Sequence, residues 1–302
     1  MQLGFVSAIF AELRLEDVFA FAGDEGFACV ELMCWPPGTA ERRYAGVTHV
    51  DVTQPGDEQP GRIGDLVRKH GVAISGLGYY PNPLDPDVEH RRVVIEHLKR
   101  VISYAHRLNV PVVNTFIGRN PAQSVQENWT VFRSVWPDIV RHAEAEGVML
   151  AIENCPMLFS QDEWPGGKNL AVSPALWKAI LDELASPRLG LNFDPSHLVW
   201  QHIDYVRCIR EFGPRIFHVH AKDTRIDPDR LYASGILGFG WHIAKLPGLG
   251  DVNWAALFAA LTDAGYRGAV CIEVEDRAYE GSLEDRKRAL RQSKRYLEQF
   301  TA

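Results

Sequence analysis

The sequence predicts a single-domain α/β fold, a (β/α)8 TIM barrel over residues 1–302, and three observations carry that prediction. Eight short β-rich runs alternate with amphipathic helical stretches along the 302 residues, the order of parallel βα units. The length suits one barrel, a fold that commonly exceeds about 250 residues as a single unit. No GxGxxG follows the first run and no GxxxxGK[ST] is present, so an open nucleotide-binding sheet loses its main support.

The opening LGFVSAIF reads as the first strand rather than a signal peptide, because no basic segment precedes it and Glu12 and Arg14 follow at once. The next runs are FACVELMC, VAISGLGYY, VPVVNTFIG, VMLAIENCP, LGLNFDPSH, IFHVHAKD and GAVCIEVED. Helical periodicity fills the intervals at 15–26, 63–71, 90–109, 129–147 and 254–266, and a last helix closes the chain at 283–300. Several of these end in Gly or Asn, which tolerate the left-handed conformation of a helix C-terminus. Long polar loops follow the second, fifth and seventh strands, at roughly 35–62, 157–172 and 224–250, and in a barrel they would roof the site.

Hydrophobic residues at 46% and charged residues at 24% are globular values. A net charge of −7 argues against a broad nucleic-acid surface. The five cysteines (Cys29, Cys34, Cys155, Cys208 and Cys271) form no CxxC pair. They read as reduced thiols of a cytoplasmic protein. No run is long enough to span a membrane.

The chemistry lies at strand ends. VMLAIENCP is the pattern of a strand buried on both faces, where an ionised Glu153 is unexpected. The sixth strand ends in Asp194 with His197 beyond it, the seventh in His218 and His220 followed by Lys222 and Asp223, and the eighth in Glu273 and Glu275. In a barrel these ends converge although the residues are far apart in the chain. Glu153, Asp194, His220 and Glu273 are the inward members. Three carboxylates and one imidazole suit one divalent ion, which also neutralises carboxylates that could not otherwise stay ionised side by side. Mn²⁺ is the first expectation, with Mg²⁺, Co²⁺ and Zn²⁺ as alternatives. His218 is assigned to the face opposite His220 and given a structural role, and Glu275 is placed one pleat beyond Glu273. Among the loop aromatics Trp35, Tyr79, Tyr80, Trp164, Phe239 and Trp241, Trp35 is the favoured ring to stack on a bound ligand.

The motifs IEN at 152–154, DPSH at 194–197, HVHAKD at 218–223, PGLGDVNW at 247–254 and IEVED at 272–276 make the chain resemble the xylose isomerase-like barrel superfamily. The likeness is greatest to the sugar phosphate isomerase/epimerase group, which includes ketose 3-epimerases and inosose dehydratase. The resemblance implies one divalent metal on Glu153, Asp194, His220 and Glu273. It also places Glu153 and Glu273 on opposite sides of a bound sugar, makes His197 a substrate contact, and leaves Arg225 as the nearest match to an Arg that follows the strand-seven His. The apurinic/apyrimidinic endonucleases of the superfamily need further ligands. Here GLGYY and NTFIG end the third and fourth strands without His, and Gly240 stands where a paired Asp is expected.

The expected activity is sugar isomerisation or epimerisation by proton abstraction beside a carbonyl, with Glu153 and Glu273 as base and acid. A lyase or dehydratase acting on a keto-sugar, inosose or 3-keto-glycoside is the alternative, as one subunit of a complex or alone, ahead of a nuclease or a silent sugar-binding protein. The expected partners are a small sugar or keto-sugar and either a second copy or a partner subunit, with no nucleic acid and no membrane.

Overall fold

In the computed structural model, residues 1–38, 44–54, 56–158 and 167–301 are described. Eight parallel strands close into a barrel: β1 (Gln2–Val6), β2 (Cys29–Met33), β3 (Ala73–Gly78), β4 (Val112–Thr115), β5 (Met149–Glu153), β6 (Leu189–Phe193), β7 (Ile216–Ala221) and β10 (Ala269–Ile272). The closure is β1 against β10, with Gln2 opposite Ala269 and Phe5 opposite Ile272. All eight strands coincide with the apolar runs of the sequence, because buried parallel strands are apolar on both faces.

Between them run α1 (Leu15–Asp24), α2 (Glu58–His70), α3 (Val88–Arg107), α4 (Val125–Glu146), α5 (Pro174–Leu184), α6 (Ser196–Trp200), α7 (Tyr205–Phe212), α8 (Pro228–Ser234), α9 (Trp254–Asp263) and α10 (Leu283–Thr301). The side chains of Ser124 and Glu127 cap each other's backbone at the start of α4, a reciprocal capping box. Gly71 and Gly147 end α2 and α4 at φ 67° and 70°, where a Cβ would be strained. The sequence pattern did not single out α5 to α8. Two of these, α6 and α8, are only 5 and 7 residues long, too short to show a period.

Segment 224–250 is more ordered than a loop. It contains α8 and most of an antiparallel hairpin made by β8 (Asp223–Ile226) and β9 (His242–Lys245), with Asp223 opposite Lys245 and Ile226 opposite His242. Asp223 fastens the hairpin to PGLGDVNW. Its carboxylate accepts hydrogen bonds from the backbone N–H groups of Thr224, Gly248 and Val252 and from Trp254 Nε1, at 2.8 to 3.0 Å. A Cβ on Gly250 would lie 2.3 Å from Asp223 Oδ1, so only glycine allows that approach.

Alternation along each strand sorts the side chains. Val30, Leu32, Ile152, Leu191, Phe193, Val270 and Ile272 belong to the apolar layer beneath the helices. Phe5, Phe10, Phe21 and Phe27 pack edge to face within that layer. The intervening positions point into the barrel, which turns Glu31, Glu153, His220 and Glu273 inward. All five cysteines are free thiols, and among the described residues no helix is long and apolar enough to cross a membrane.

Candidate metal centre and active site

Glu153 ends β5, Asp194 follows β6, His220 lies near the end of β7 and Glu273 follows β10. One donor atom from each lies within 4.8 Å of the others. His220 Nδ1 is 3.7 Å from Glu153 Oε1 and 3.6 Å from Glu273 Oε2. Ligands bound at about 2.1 Å to a shared ion are separated by roughly 3.0 to 4.2 Å, so the spacing suits a single ion.

Donor chemistry agrees with that spacing. Asp194 Oδ2, His220 Nδ1 and His197 Nε2 are buried without a hydrogen-bond partner among the described residues. Buried polar atoms of this kind are costly unless a ligand completes them. The other Asp194 oxygen accepts from the Ser196 backbone N–H at 2.8 Å, which leaves Oδ2 facing the cluster. Asn154 grips the Asp194 backbone through its N–H and its carbonyl, both at 2.8 Å. Asn169 donates to the carbonyls of Glu153 and Cys155. These amides fix the strand ends whose side chains converge.

The second half of the arrangement lies deeper in the barrel. Glu31, fully buried on β2, approaches His220 Nε2 to 2.7 Å and accepts a hydrogen bond from the Tyr80 hydroxyl. The imidazole is thereby turned so that Nδ1 points at Glu153 and Glu273, the carboxylate–histidine pairing common behind metal ligands. Gly78 makes room for it, since a Cβ there would lie 2.6 Å from Glu31 Oε1. His218 departs from expectation. Residues two apart on a strand share a face, so His218 points into the barrel below His220, with Nδ1 3.0 Å from Asn192 Oδ1 and Nε2 3.1 Å from Ser75 Oγ.

Lys222 reaches into the same centre. Its ammonium lies 2.7 Å from Glu273 Oε2, 3.1 Å from Asp194 Oδ2 and 3.2 Å from Glu275 Oε2. The Asp194 approach is an ion pair rather than an aligned hydrogen bond. Burial works to raise Glu153, but contacts from His197 and His220 and the charge of Lys222 hold its pKa below the ordinary carboxylate value. Burial dominates at Glu273. Lys222 and His220 oppose it, Glu275 and Glu153 reinforce it, and the pKa is pushed up to about 7. Two carboxylates of one centre therefore differ in proton affinity, as in acid–base pairs.

The cluster opens into a cavity of about 330 Å³. Glu153, His197, Lys222, Glu273 and Glu275 form its polar floor, and Trp35, Tyr80 and Phe116 line it as well. Trp35 packs edge-on against buried Tyr79, with centroids 5.0 Å apart. Trp241 is buried, while Phe239 borders the cavity and is 40% exposed. Trp164 lies outside the described residues. His197 borders both Asp194 and Glu153, at 3.3 and 3.7 Å.

Arg225 does not join the site. It is exposed and absent from the cavity wall, whereas its neighbour Thr224 and the opposite residue Ala244 line it. Alternation on β8 turns Arg225 to the outer face. Arg277, just beyond the eighth barrel strand and also exposed, borders the cavity instead. Sequence reasoning also missed Glu31, although it carries the signal that exposed Glu153: a carboxylate inside an apolar strand.

Comparison with known proteins agrees with this architecture. The chain is 27% identical over 316 residues to the uncharacterized protein YfiH of Bacillus subtilis (strain 168), covering 91% of this chain and 93% of that one. It is 29% identical over 100 residues to inosose dehydratase of Geobacillus thermodenitrificans (strain NG80-2), covering 32% and 34% of the two chains. The crystal structure of D-psicose 3-epimerase in the presence of D-fructose superposes with a TM-score of 0.73 at 16% identity, covering 100% of this chain and 99% of that one. That of IOLI protein with a bound zinc atom gives 0.72 at 17% identity, covering 99% of each chain. The family description "Xylose isomerase-like TIM barrel" matches residues 19–300. With eight parallel strands closed around converging strand-end carboxylates, the chain belongs to the xylose isomerase-like TIM barrel family.

Proposed function

We propose that the protein is a divalent-metal-dependent sugar isomerase or epimerase that moves a proton on a carbon beside a carbonyl. The observation that carries the reading is the meeting of Glu153, Asp194, His220 and Glu273 within 4.8 Å, with buried polar atoms that no hydrogen bond satisfies, at the floor of a sugar-sized cavity. These four residues would hold the ion, with Mn²⁺ the first candidate for so oxygen-rich a set. When bound, a divalent ion supplies Lewis-acid polarisation of a carbonyl and stabilises the oxyanion that develops.

Glu153 and Glu273 then serve as the two proton carriers. One carboxylate accepts the proton from carbon, and the other delivers a proton to the opposite face for epimerisation or to the adjacent carbon for isomerisation. Trp35, Tyr80 and Phe116 exclude water and present ring surface to a sugar. His197 contacts the substrate from the Asp194 side. The names borne by the epimerase and dehydratase relatives support chemistry of this class.

His197 also favours a second reading. An imidazole beside Glu153 on the cavity floor is placed to protonate a leaving hydroxyl or glycosidic oxygen, so loss of a β-substituent from a keto-sugar, inosose or 3-keto-glycoside is the alternative outcome. Both begin with the same proton abstraction.

The test is Mn²⁺-dependent incorporation of solvent deuterium into a panel of ketoses, inososes and 3-keto-glycosides. Exchange into one class, lost in both Glu153→Gln and Glu273→Gln, is expected. Exchange retained in both variants would overturn the acid–base roles, and a leaving group released with exchange would select elimination.

A further inference from the structure

We propose that Lys222 sets the metal affinity of this centre by competing with the ion for two of its carboxylates, and that Glu275 acts as the alternative partner onto which the ammonium is released. The inference rests on the reading of Glu153, Asp194, His220 and Glu273 as the ligands. Its basis is the sharing of atoms: Asp194 Oδ2, which no hydrogen bond engages, and Glu273 Oε2, 3.6 Å from His220 Nδ1, are the oxygens that Lys222 Nζ approaches to 3.1 and 2.7 Å. Glu275 Oε2, 3.2 Å from the same nitrogen, is outside the four-residue cluster.

The Lys222 side chain is only 5% exposed, so its charge cannot be relieved by turning into water. A buried ammonium stays where carboxylates pair it. A divalent ion drawing on Asp194 and Glu273 takes lone pairs from the ammonium and repels it. Glu275, whose side chain is 34% exposed and which borders the cavity, lets Lys222 withdraw without losing all pairing. Asp194, Glu273 and Glu275 thus share one lysine charge and one exchangeable ion. The affinity of the centre is lower than that of the same ligand set without the lysine.

Mn²⁺ binding to the chelator-treated full chain, measured by calorimetry, tests the proposal. Lys222→Met, which keeps the aliphatic stem and removes the charge, is expected to lower the Kd at least tenfold. Lys222→Gln is the second variant should Met disturb folding, and Lys222→Arg should not tighten binding. Glu275→Gln should raise the Kd severalfold in the native background but change it little beside Lys222→Met, because the competitor is then gone. Unchanged or weaker binding by folded Lys222→Met and Lys222→Gln would overturn the competition and make Lys222 a group that orients its ligands. Failure of the native chain to bind Mn²⁺ or any other divalent ion would instead overturn the ligand assignment on which it rests.

Discussion

Glu31 Oε2 lies 2.7 Å from His220 Nε2, and both side chains are fully buried. Burial alone would neutralise Glu31. The charges of His220 and His218 and the hydrogen bonds from His220 and Tyr80 outweigh that effect and hold Glu31 below the usual carboxylate range. The pair fixes the ring orientation that aims Nδ1 at Glu153 and Glu273. Glu31→Gln keeps the volume but weakens this orientation, so Mn²⁺ affinity should fall about 10- to 100-fold. An unchanged Kd would show that Asn192, Tyr80 and packing hold His220 without the carboxylate.

Gly78 is the steric counterpart of that pair. A Cβ there would lie 2.2 Å from Met33 Cε and 2.6 Å from Glu31 Oε1. The methionine tip can move, but the carboxylate is fixed by two partners. Gly78→Ala should cost about 1–3 kcal/mol of stability in urea unfolding and should weaken Mn²⁺ binding in the same sense as Glu31→Gln. Loss of stability with native metal affinity would mean that the methionine absorbs the whole clash.

The two glutamates show how far the sequence is legible. Glu153 stands at a strand end followed by Asn154 and Pro156, and Asp194 and His197 mark the next strand in the same way, so position in the eightfold pattern identified them. Glu31 sits inside its strand with Leu32 and Met33 beyond it, and its partner His220 is supplied by the seventh strand. Only barrel closure brings those side chains together. The reversed facing of His218 was legible, since the period of two alone decides it. The resemblance put Arg225 forward as the nearest Arg after His220, but Asp223 to Ile226 form a hairpin strand whose alternation turns it outward.

Arg277 and Arg225 therefore make a paired test. Arg277 lines the cavity and Arg225 does not. Arg277→Ala should raise KM about tenfold or more with little change in stability, whereas Arg225→Ala should leave kcat and KM within twofold of the native values, a charge-assisted contact contributing about 1.5–3 kcal/mol. The reverse pattern would require the hairpin to reorient when substrate binds.

Asp223 accepts four hydrogen bonds, three of which, from Gly248, Val252 and Trp254, tie the hairpin to PGLGDVNW. Burial raises its pKa, partly opposed by Trp254 and the backbone donors, and with both carboxylate oxygens engaged by these donors the acid holds the fold. Asp223→Ala leaves four donors unmatched, three of them on the buried residues Thr224, Val252 and Trp254, and should destabilise by about 3 kcal/mol or more. Proteolysis is expected to begin within 224–250. A cleavage pattern identical to that of the native chain would show that the hairpin is held by its own strand pairing and aromatic packing.

His242 gives the chain an acid sensitivity outside the proposed ligands. Its ring stacks on Trp200 with centroids 4.5 Å apart, and Trp241 and Phe239 meet it edge-on. Burial, reinforced by the charge of His197, pushes its pKa down to about 4. An unfolded histidine titrates near 6.5. Between these values the unfolded chain binds a proton that the folded chain refuses, so stability falls as pH drops from 6.5 towards 4 and is fully present above that window. The partial exposure of the ring reduces the effect to about 1–2 kcal/mol at the acid end. His242→Asn removes the titration, so its unfolding free energy should fall by about that much less than the native value between pH 7 and pH 4.5. Parallel losses in the two proteins would show that His242 is protonated in the folded state as readily as in water.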